Sequence, residues 1–288
     1  TQKGKCFWMR VYEIPEGTKT SKGRAIQNLI NIENDDKVKA FICTQDLKNQ
    51  DYINSHYVIM ATKQGQVKKT LLEQYSRPRV NGIVAITIKE DDELLEAKLT
   101  NGESQILIAV KSGKLVRFEE NKTRPMGRSA SGVRGITLGH EKDEVIGMVS
   151  VNDMESEILV VSENGYGKRS SLEDYRITNR GGKGVKTLNI TDKTGELISI
   201  NNVTDADDLM IINKSGLTIR MEVSDLRVMG RATQGVRLIN IKGNDSIAAV
   251  TKVIREEQVI DETEGDGENT ALEASTNDDV TEVENTEE

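Results

Sequence analysis

From Tyr57 to Ile254 the chain repeats one hydrophobic pattern. A run of apolar residues reaches a polar turn ending in glycine, and a run of alternating apolar and polar residues leaves it. The stretches are "VIMATKQGQVKKT" (58–70), "ILIAVKSGKLVRF" (106–118), "ILVVSENGYGKRS" (158–170) and "LMIINKSGLTIRM" (209–221). Period-two alternation around a glycine turn predicts a β-hairpin, with the glycine supplying a positive φ. The turn glycines Gly65, Gly113, Gly165 and Gly216 lie 48, 52 and 51 residues apart. A second signal follows each hairpin: "NGIVAITI" (81–88), "SGVRGITL" (131–138), "GKGVKTLNI" (182–190) and "QGVRLINI" (234–241). Each predicts a return strand, then an acidic or glycine turn (Asp91–Glu93, Asp143–Glu144, Gly195–Glu196, Asn244–Asp245) and a closing apolar strand. Short helical turns are expected at Leu71–Tyr75, Leu172–Tyr175 and Val223–Leu226. Four short strands per period of about 51 residues predict a circular array of four-stranded blades.

The first residues fit the same frame. "TQKGKCFWMRV" reads as a hairpin whose first strand is missing, with Gly4 in the turn, and "KGRAIQNLINIENDDKV" as its return strand. Five units are therefore expected, the first incomplete, as though the sequence began inside a larger polypeptide.

Composition narrows the function. Aromatic residues are 3% of the 288, so the core must rest on Ile, Val, Leu and Met. No apolar run approaches the 18 residues of a membrane span, and no signal peptide is visible. Cys6 and Cys43 alone make no disulfide framework, which favours a reducing, cytoplasmic setting. The net charge of −8 hides an asymmetry. Residues 254–288 carry one basic and fourteen acidic side chains, and the rest carries 38 basic and 33 acidic ones. The reading is a mildly basic body, 1–253, with an acidic, disordered tail, 254–288.

The basic residues recur in register. One set follows the hairpin turns: Arg10, Lys68, Lys69, Lys114, Arg117, Lys168, Arg169 and Arg220. Another flanks the return strands: Lys22, Arg24, Arg77, Arg79, Arg124, Arg128, Arg134, Arg176, Arg180, Lys183, Lys186, Arg227, Arg231 and Arg237. The phrase "RPMGRSASGVRGI" (124–136) returns as "RVMGRATQGVRLI" (227–239), with its arginines in place. On a ring of blades such charges form a belt. With few aromatic side chains to stack on single-stranded bases, the belt suits duplex phosphates.

These stretches, above all "GQVKKT" (65–70), "GKLVRF" (113–118), "MGRSASGVRGITLG" (126–139), "NGYGKRS" (164–170) and "GRATQGVRLI" (230–239), resemble the C-terminal domain of DNA gyrase A. The resemblance covers roughly residues 1–253. It implies an all-β fold, a β-pinwheel whose blades exchange a strand with their neighbours. It also implies duplex wrapping on a basic rim in the service of ATP-driven negative supercoiling. The partners it implies are gyrase B and a second gyrase A polypeptide (A2B2), with ATP and Mg used elsewhere in that complex and no cofactor in this segment. The catalytic tyrosine of gyrase A belongs to its N-terminal part, so no tyrosine here takes the role.

The family's signature loop, Gln-Arg-Arg-Gly-Gly-Lys/Arg-Gly, is matched only in its last five positions, by Arg180, Gly181, Gly182, Lys183 and Gly184, after Thr178-Asn179. That loop sits in the fourth unit, so it reads as a degenerate copy, with the first of six blades and its signature expected upstream of residue 1. Two alternatives are the equivalent C-terminal domain of topoisomerase IV and, more distantly, a protein-interaction propeller. His56 and His140 are too isolated for a zinc cluster. No P-loop or G-x-S-x-G nucleophile motif occurs.

Overall fold

The computed structural model describes residues 1–18, 20–241, 243 and 245–255. The remaining residues, including most of the acidic 254–288 segment, lie outside the described set. Thr1–Arg255 form one compact unit. The last strand among the described residues runs to Ile254.

The hairpins form where the alternation placed them. The first unit holds β1 (Lys5–Cys6). The second holds β2 (Tyr57–Thr62), β3 (Gln66–Leu71), β4 (Ile83–Val84) and β5 (Leu94–Thr100). The third holds β6 (Gln105–Val110), β7 (Lys114–Glu119), β8 (Val133–Arg134) and β9 (Val145–Val151). The fourth holds β10 (Glu157–Ser162), β11 (Tyr166–Ser171), β12 (Val185–Lys186) and β13 (Leu197–Val203). The fifth holds β14 (Asp207–Asn213), β15 (Thr218–Glu222), β16 (Val236–Arg237) and β17 (Ile247–Ile254). 3-10 turns appear at Leu72–Tyr75 and Leu172–Asp174, and also at Glu120–Lys122, which the pattern did not announce. Val223–Leu226 is a single turn. A six-residue helix, α1 (Gln50–Ser55), was not expected either; the Asn49 side chain caps it and Ile53 is buried beneath it.

Each return strand is only two residues long, and it pairs with the preceding unit. The sheets are β1–β4, β5–β2–β3–β8, β9–β6–β7–β12, β13–β10–β11–β16 and β17–β14–β15. The register is Gln66↔Arg134 and Val67↔Val133, repeated as Lys114↔Lys186 and Leu115↔Val185, then Tyr166↔Arg237 and Gly167↔Val236. All pairs within the sheets are antiparallel.

The turn glycine makes this exchange possible. The Gly4 carbonyl accepts the N–H groups of Ala85 and Ile86, Gly65 those of Gly135 and Ile136, Gly113 those of Thr187 and Leu188, and Gly165 those of Leu238 and Ile239. The four glycines have φ between +75° and +83°, a region costly for any other residue. A Cβ at Gly4, Gly113 or Gly165 would lie 2.4, 2.7 or 2.8 Å from a carbonyl oxygen of the incoming strand. Gly216 has a similar φ but open space around it, because no later strand docks there among the described residues.

The strands β5, β9, β13 and β17 contact one another from sheet to sheet and form the inner side. Backbone hydrogen bonds run along it: Lys63 N–H to Glu93 O and Val145 N–H to Lys63 O, then Lys111 N–H to Glu144 O and Leu197 N–H to Lys111 O. Alternating charges follow the same path. Glu93 lies 3.6 Å from both Lys39 and Lys63, Lys63 lies 2.8 Å from Glu144, and Lys111 bridges Glu144 and Glu196. The acidic turns are therefore built into the structure. Asp143 accepts from the N–H groups of Ser112 and Gly139, and Asp92 from that of Gln64.

Apolar cores fill the spaces between consecutive sheets. One joins Leu107, Leu115 and Val149 to Ile158, Val160, Leu172 and Tyr175, all nearly inaccessible. Among the described residues no helix is long and apolar enough to cross a membrane.

Candidate nucleic-acid interface

Two kinds of basic position recur in each unit, and the structure sends them in opposite directions. The first lies four residues after the turn glycine: Trp8, Lys69, Arg117, Arg169 and Arg220. Here three basic side chains point into the junction with the next sheet and act as clamps. Arg117 donates to the carbonyls of Leu172 and Tyr175, at 2.5 and 2.8 Å, and to Gln105 at 2.7 Å. Arg169 donates to the carbonyl of Leu226 and pairs with Glu157 and Asp205. Lys69 lies 3.0 Å from Glu120, which is wholly buried, and 4.2 Å from the centre of the Tyr57 ring. Trp8 does the same work without charge, donating its indole N–H to the Tyr75 carbonyl at 3.1 Å. The acceptors lie in or just after a short turn, whose terminal carbonyls take partners from outside it; the Leu172 carbonyl also accepts the Tyr175 N–H. Among the described residues no sheet follows for Arg220 to reach, and it pairs with Asp208 at 2.7 Å.

Lys68 and Lys168 are buried as well. Lys68 donates to the carbonyls of Ala85 and Arg128, each at 2.5 Å, and Lys168 to that of Gly230 at 2.5 Å. Burial brings both ammonium groups down to about 8; Arg128 adds like-charge repulsion at Lys68, and at Lys168 Asp174 opposes the shift while Arg231 adds to it. Lys68, Lys69, Arg117, Lys168 and Arg169 were all expected on an exposed belt. They are interior, and their reach toward carbonyl oxygens is the physical reason.

The second kind of position lies on the exchanged strands and the loops that lead to them, at the outer edge of each sheet. Arg134, Lys186 and Arg237 hold equivalent places on β8, β12 and β16, all exposed, and Val84 stands there on β4. Arg124, Arg176 and Arg227 precede them, also exposed. Arg128, Arg180 and Arg231 are half-buried because each loop folds against the unit before it. Arg180 donates to the carbonyls of Lys122 and Arg134 at 3.0 and 3.2 Å, and Arg231 to that of Lys186 at 3.0 Å. A loop of one unit thus lies beside the outer strand of the previous one, and the positive charges form a string across the blade junctions. Among the described residues none of these nine has an acidic partner within ion-pair distance.

The glycine-rich loop occupies the same place as its counterparts. The Gly181 N–H donates to the Gly135 carbonyl, and the Gly182 carbonyl accepts from the Thr137 N–H. The carbonyls of Ala130 and Thr233 accept from the N–H groups of Thr87 and Asn189 in the same way. Gly184 needs its missing side chain, since a Cβ would lie 2.6 Å from the Leu115 carbonyl; Gly182 does not, with nothing nearer than 3.8 Å. With Lys183, which is exposed, the loop and the edge of β7 surround a cavity of about 500 Å³.

The remaining candidates are peripheral to this string. Arg77 and Arg79 are exposed in the equivalent loop of the second unit. Lys114 is half-buried beside Lys186. Arg10, Lys22 and Arg24 are exposed in the long loop of the first unit, and Arg10 donates to the Tyr12 hydroxyl.

A ring-like succession of small sheets, each closed by a strand from the next unit and edged with unpaired basic side chains, defines a β-pinwheel. The chain belongs to the family described as DNA gyrase C-terminal domain, beta-propeller, whose model matches residues 1–45, 56–101, 105–152, 156–204 and 207–254, one match per unit. It is 44% identical over 272 residues to the DNA gyrase A protein of Staphylococcus aureus (strain NCTC 8325 / PS 47), and to that of strain COL. The match covers 94% of this chain and spans only 30% of the length of those relatives. In fold it is similar to the C-terminal domain of DNA topoisomerase IV, with a TM-score of 0.79 at 24% identity, covering 88% of this chain and 77% of that one. It is also similar to the DNA gyrase A C-terminal domain, with a TM-score of 0.75 at 23% identity, covering 88% and 80%.

Proposed function

We propose that this domain binds duplex DNA along its outer edge without reading sequence and bends it around the disc. In this reading it is the C-terminal part of a gyrase A polypeptide and serves ATP-dependent negative supercoiling in the cytoplasm, with gyrase B and a second gyrase A in an A2B2 assembly. The observation that carries the reading is the string of rim side chains, Arg124 to Arg237, repeated on successive sheets and without acidic partners among the described residues. Lys and Arg at such positions neutralise phosphates and fix the path of the duplex, but they carry no base information. A protein-interaction propeller gives no reason for this register. The 44% identity to gyrase A favours that protein over its topoisomerase IV counterpart, whose domain shares the fold.

Titration of unrelated duplexes with the purified chain tests the reading. Six to ten phosphate contacts predict a loss of about 10³- to 10⁵-fold in affinity between roughly 50 and 200 mM salt, the same for every sequence. A flat salt response, or a strong preference for one sequence, would overturn it.

A further inference from the structure

The outer loops carry a second repeated feature. In each, an arginine is followed directly by an apolar residue, in register at Arg124-Pro125, Arg176-Ile177 and Arg227-Val228 and nearer its exchanged strand at Arg79-Val80. All four apolar residues are exposed, Val80 at 86%, Ile177 at 47% and Val228 at 48%. Single aliphatic side chains on a surface call for no explanation. Four at the rim, each beside an arginine that has no acidic partner among the described residues, form a pattern.

The backbone of three of them is fixed. Pro125, Ile177 and Val228 bridge to Lys69, Arg117 and Arg169, the three basic clamps. The next N–H in each loop donates to the carbonyl of that same clamp, Met126 to Lys69, Thr178 to Arg117 and Met229 to Arg169, at 2.8 to 2.9 Å. These side chains are thus held outward at the rim with little ordering left to do on binding.

We propose that Val80, Pro125, Ile177 and Val228 are the non-ionic half of the duplex site. They pack against deoxyribose faces and base edges in the minor groove while the adjacent arginines hold phosphates. This rests on the duplex-binding reading given above, and it adds which groups turn binding into bending. Aliphatic side chains pressed against the minor groove favour bends that carry more DNA onto the protein. The flanking positive charge, unopposed by carboxylates, marks a polyanion as the occupant.

Salt separates the two halves. Phosphate contacts set the slope of log affinity against log salt, whereas apolar contacts shift the line without tilting it. The variant Ile177→Ser with Val228→Ser, made in the full chain, should give a line parallel to that of the unaltered protein and about tenfold weaker at every salt concentration. On a duplex of about 30 base pairs labelled at both ends, it should also show a longer end-to-end distance when saturated. The conservative variant Ile177→Val with Val228→Ile should restore both. Coincident lines with equal bending would overturn the proposal, as would a shallower slope, which would place the loss in phosphate contacts. Absence of duplex binding by the unaltered chain would defeat the wrapping reading itself.

Discussion

Arg117 on β7 and Lys186 on β12 lie on adjacent strands of one sheet and both recur as basic positions, yet they face opposite tasks. Arg117 is 8% exposed and spends its donors on carbonyls of the next unit; Lys186 is exposed and has no acidic partner among the described residues. Repetition therefore marks a position as important to the array without saying what for. The clamp joins blade to blade, and the rim faces outward. The inner side adds a third use of charge, in which Lys39, Glu93, Lys63, Glu144, Lys111 and Glu196 neutralise one another in sequence.

The sharpest break of this comparison is at Lys69. Replacing it by Met leaves the Glu120 carboxylate, fully buried, without its cation. A buried charge stripped of its partner costs about 3–5 kcal/mol, and denaturant unfolding should show that loss. Adding Glu120→Gln should recover much of it. A Lys69→Met variant of unchanged stability would mean that the pair is not a clamp.

Arg117→Met comes next. It removes the donor to the Tyr175 carbonyl, which left unpaired in the interior costs about 1–3 kcal/mol, and one of the two donors to the Leu172 carbonyl, which keeps the Tyr175 N–H. The melting temperature should fall by several degrees, while the salt slope of DNA binding measured on the folded protein stays the same. A shallower slope would make Arg117 a phosphate contact after all.

A smaller effect concerns pH. Lys68 and Lys168 titrate at about 8 in the folded protein, against 10.5 ordinarily. Between those values the unfolded chain binds more protons, so stability rises with pH across that window. Tyr75 and Tyr175 act in the opposite sense, because burial raises both, and stability falls once pH passes the ordinary tyrosine value near 10. The melting temperature should therefore climb from about pH 7.5 toward 10 and then decline. Replacing both lysines by Met should remove the climb and leave the decline.

Much of this was legible beforehand. The hairpins, the turn glycines and the five-unit count follow from period-two alternation and spacing, because the glycine needs the positive φ for the incoming strand to dock on its carbonyl. The inward turn of the clamps was not read, although a signal existed. Lys68 and Lys69 are consecutive on one strand, so their side chains leave opposite faces, and both could not sit on one belt. Which face meets the next sheet depends on carbonyls such as those of Leu172 and Tyr175, which lie 55 and 58 residues from Arg117. Trp8 shows the same limit from the other side, since a donor without charge fills a position that the basic pattern had skipped. Helix α1 escaped because one capped turn over a single buried Ile53 leaves no periodic trace.

The central claim is that the exchanged strands carry the charges that meet DNA and the clamps do not. The direct measurement is the salt dependence of duplex binding for the triple variant Arg134→Ala, Lys186→Ala and Arg237→Ala, read beside its melting curve. Each lost phosphate contact lowers the magnitude of the slope by about 0.9, so the triple variant should lose about 2.7. Its melting temperature should hardly move, since exposed charges contribute little to stability. An unchanged slope, or a fall in melting temperature as large as that of Lys69→Met, would contradict the account.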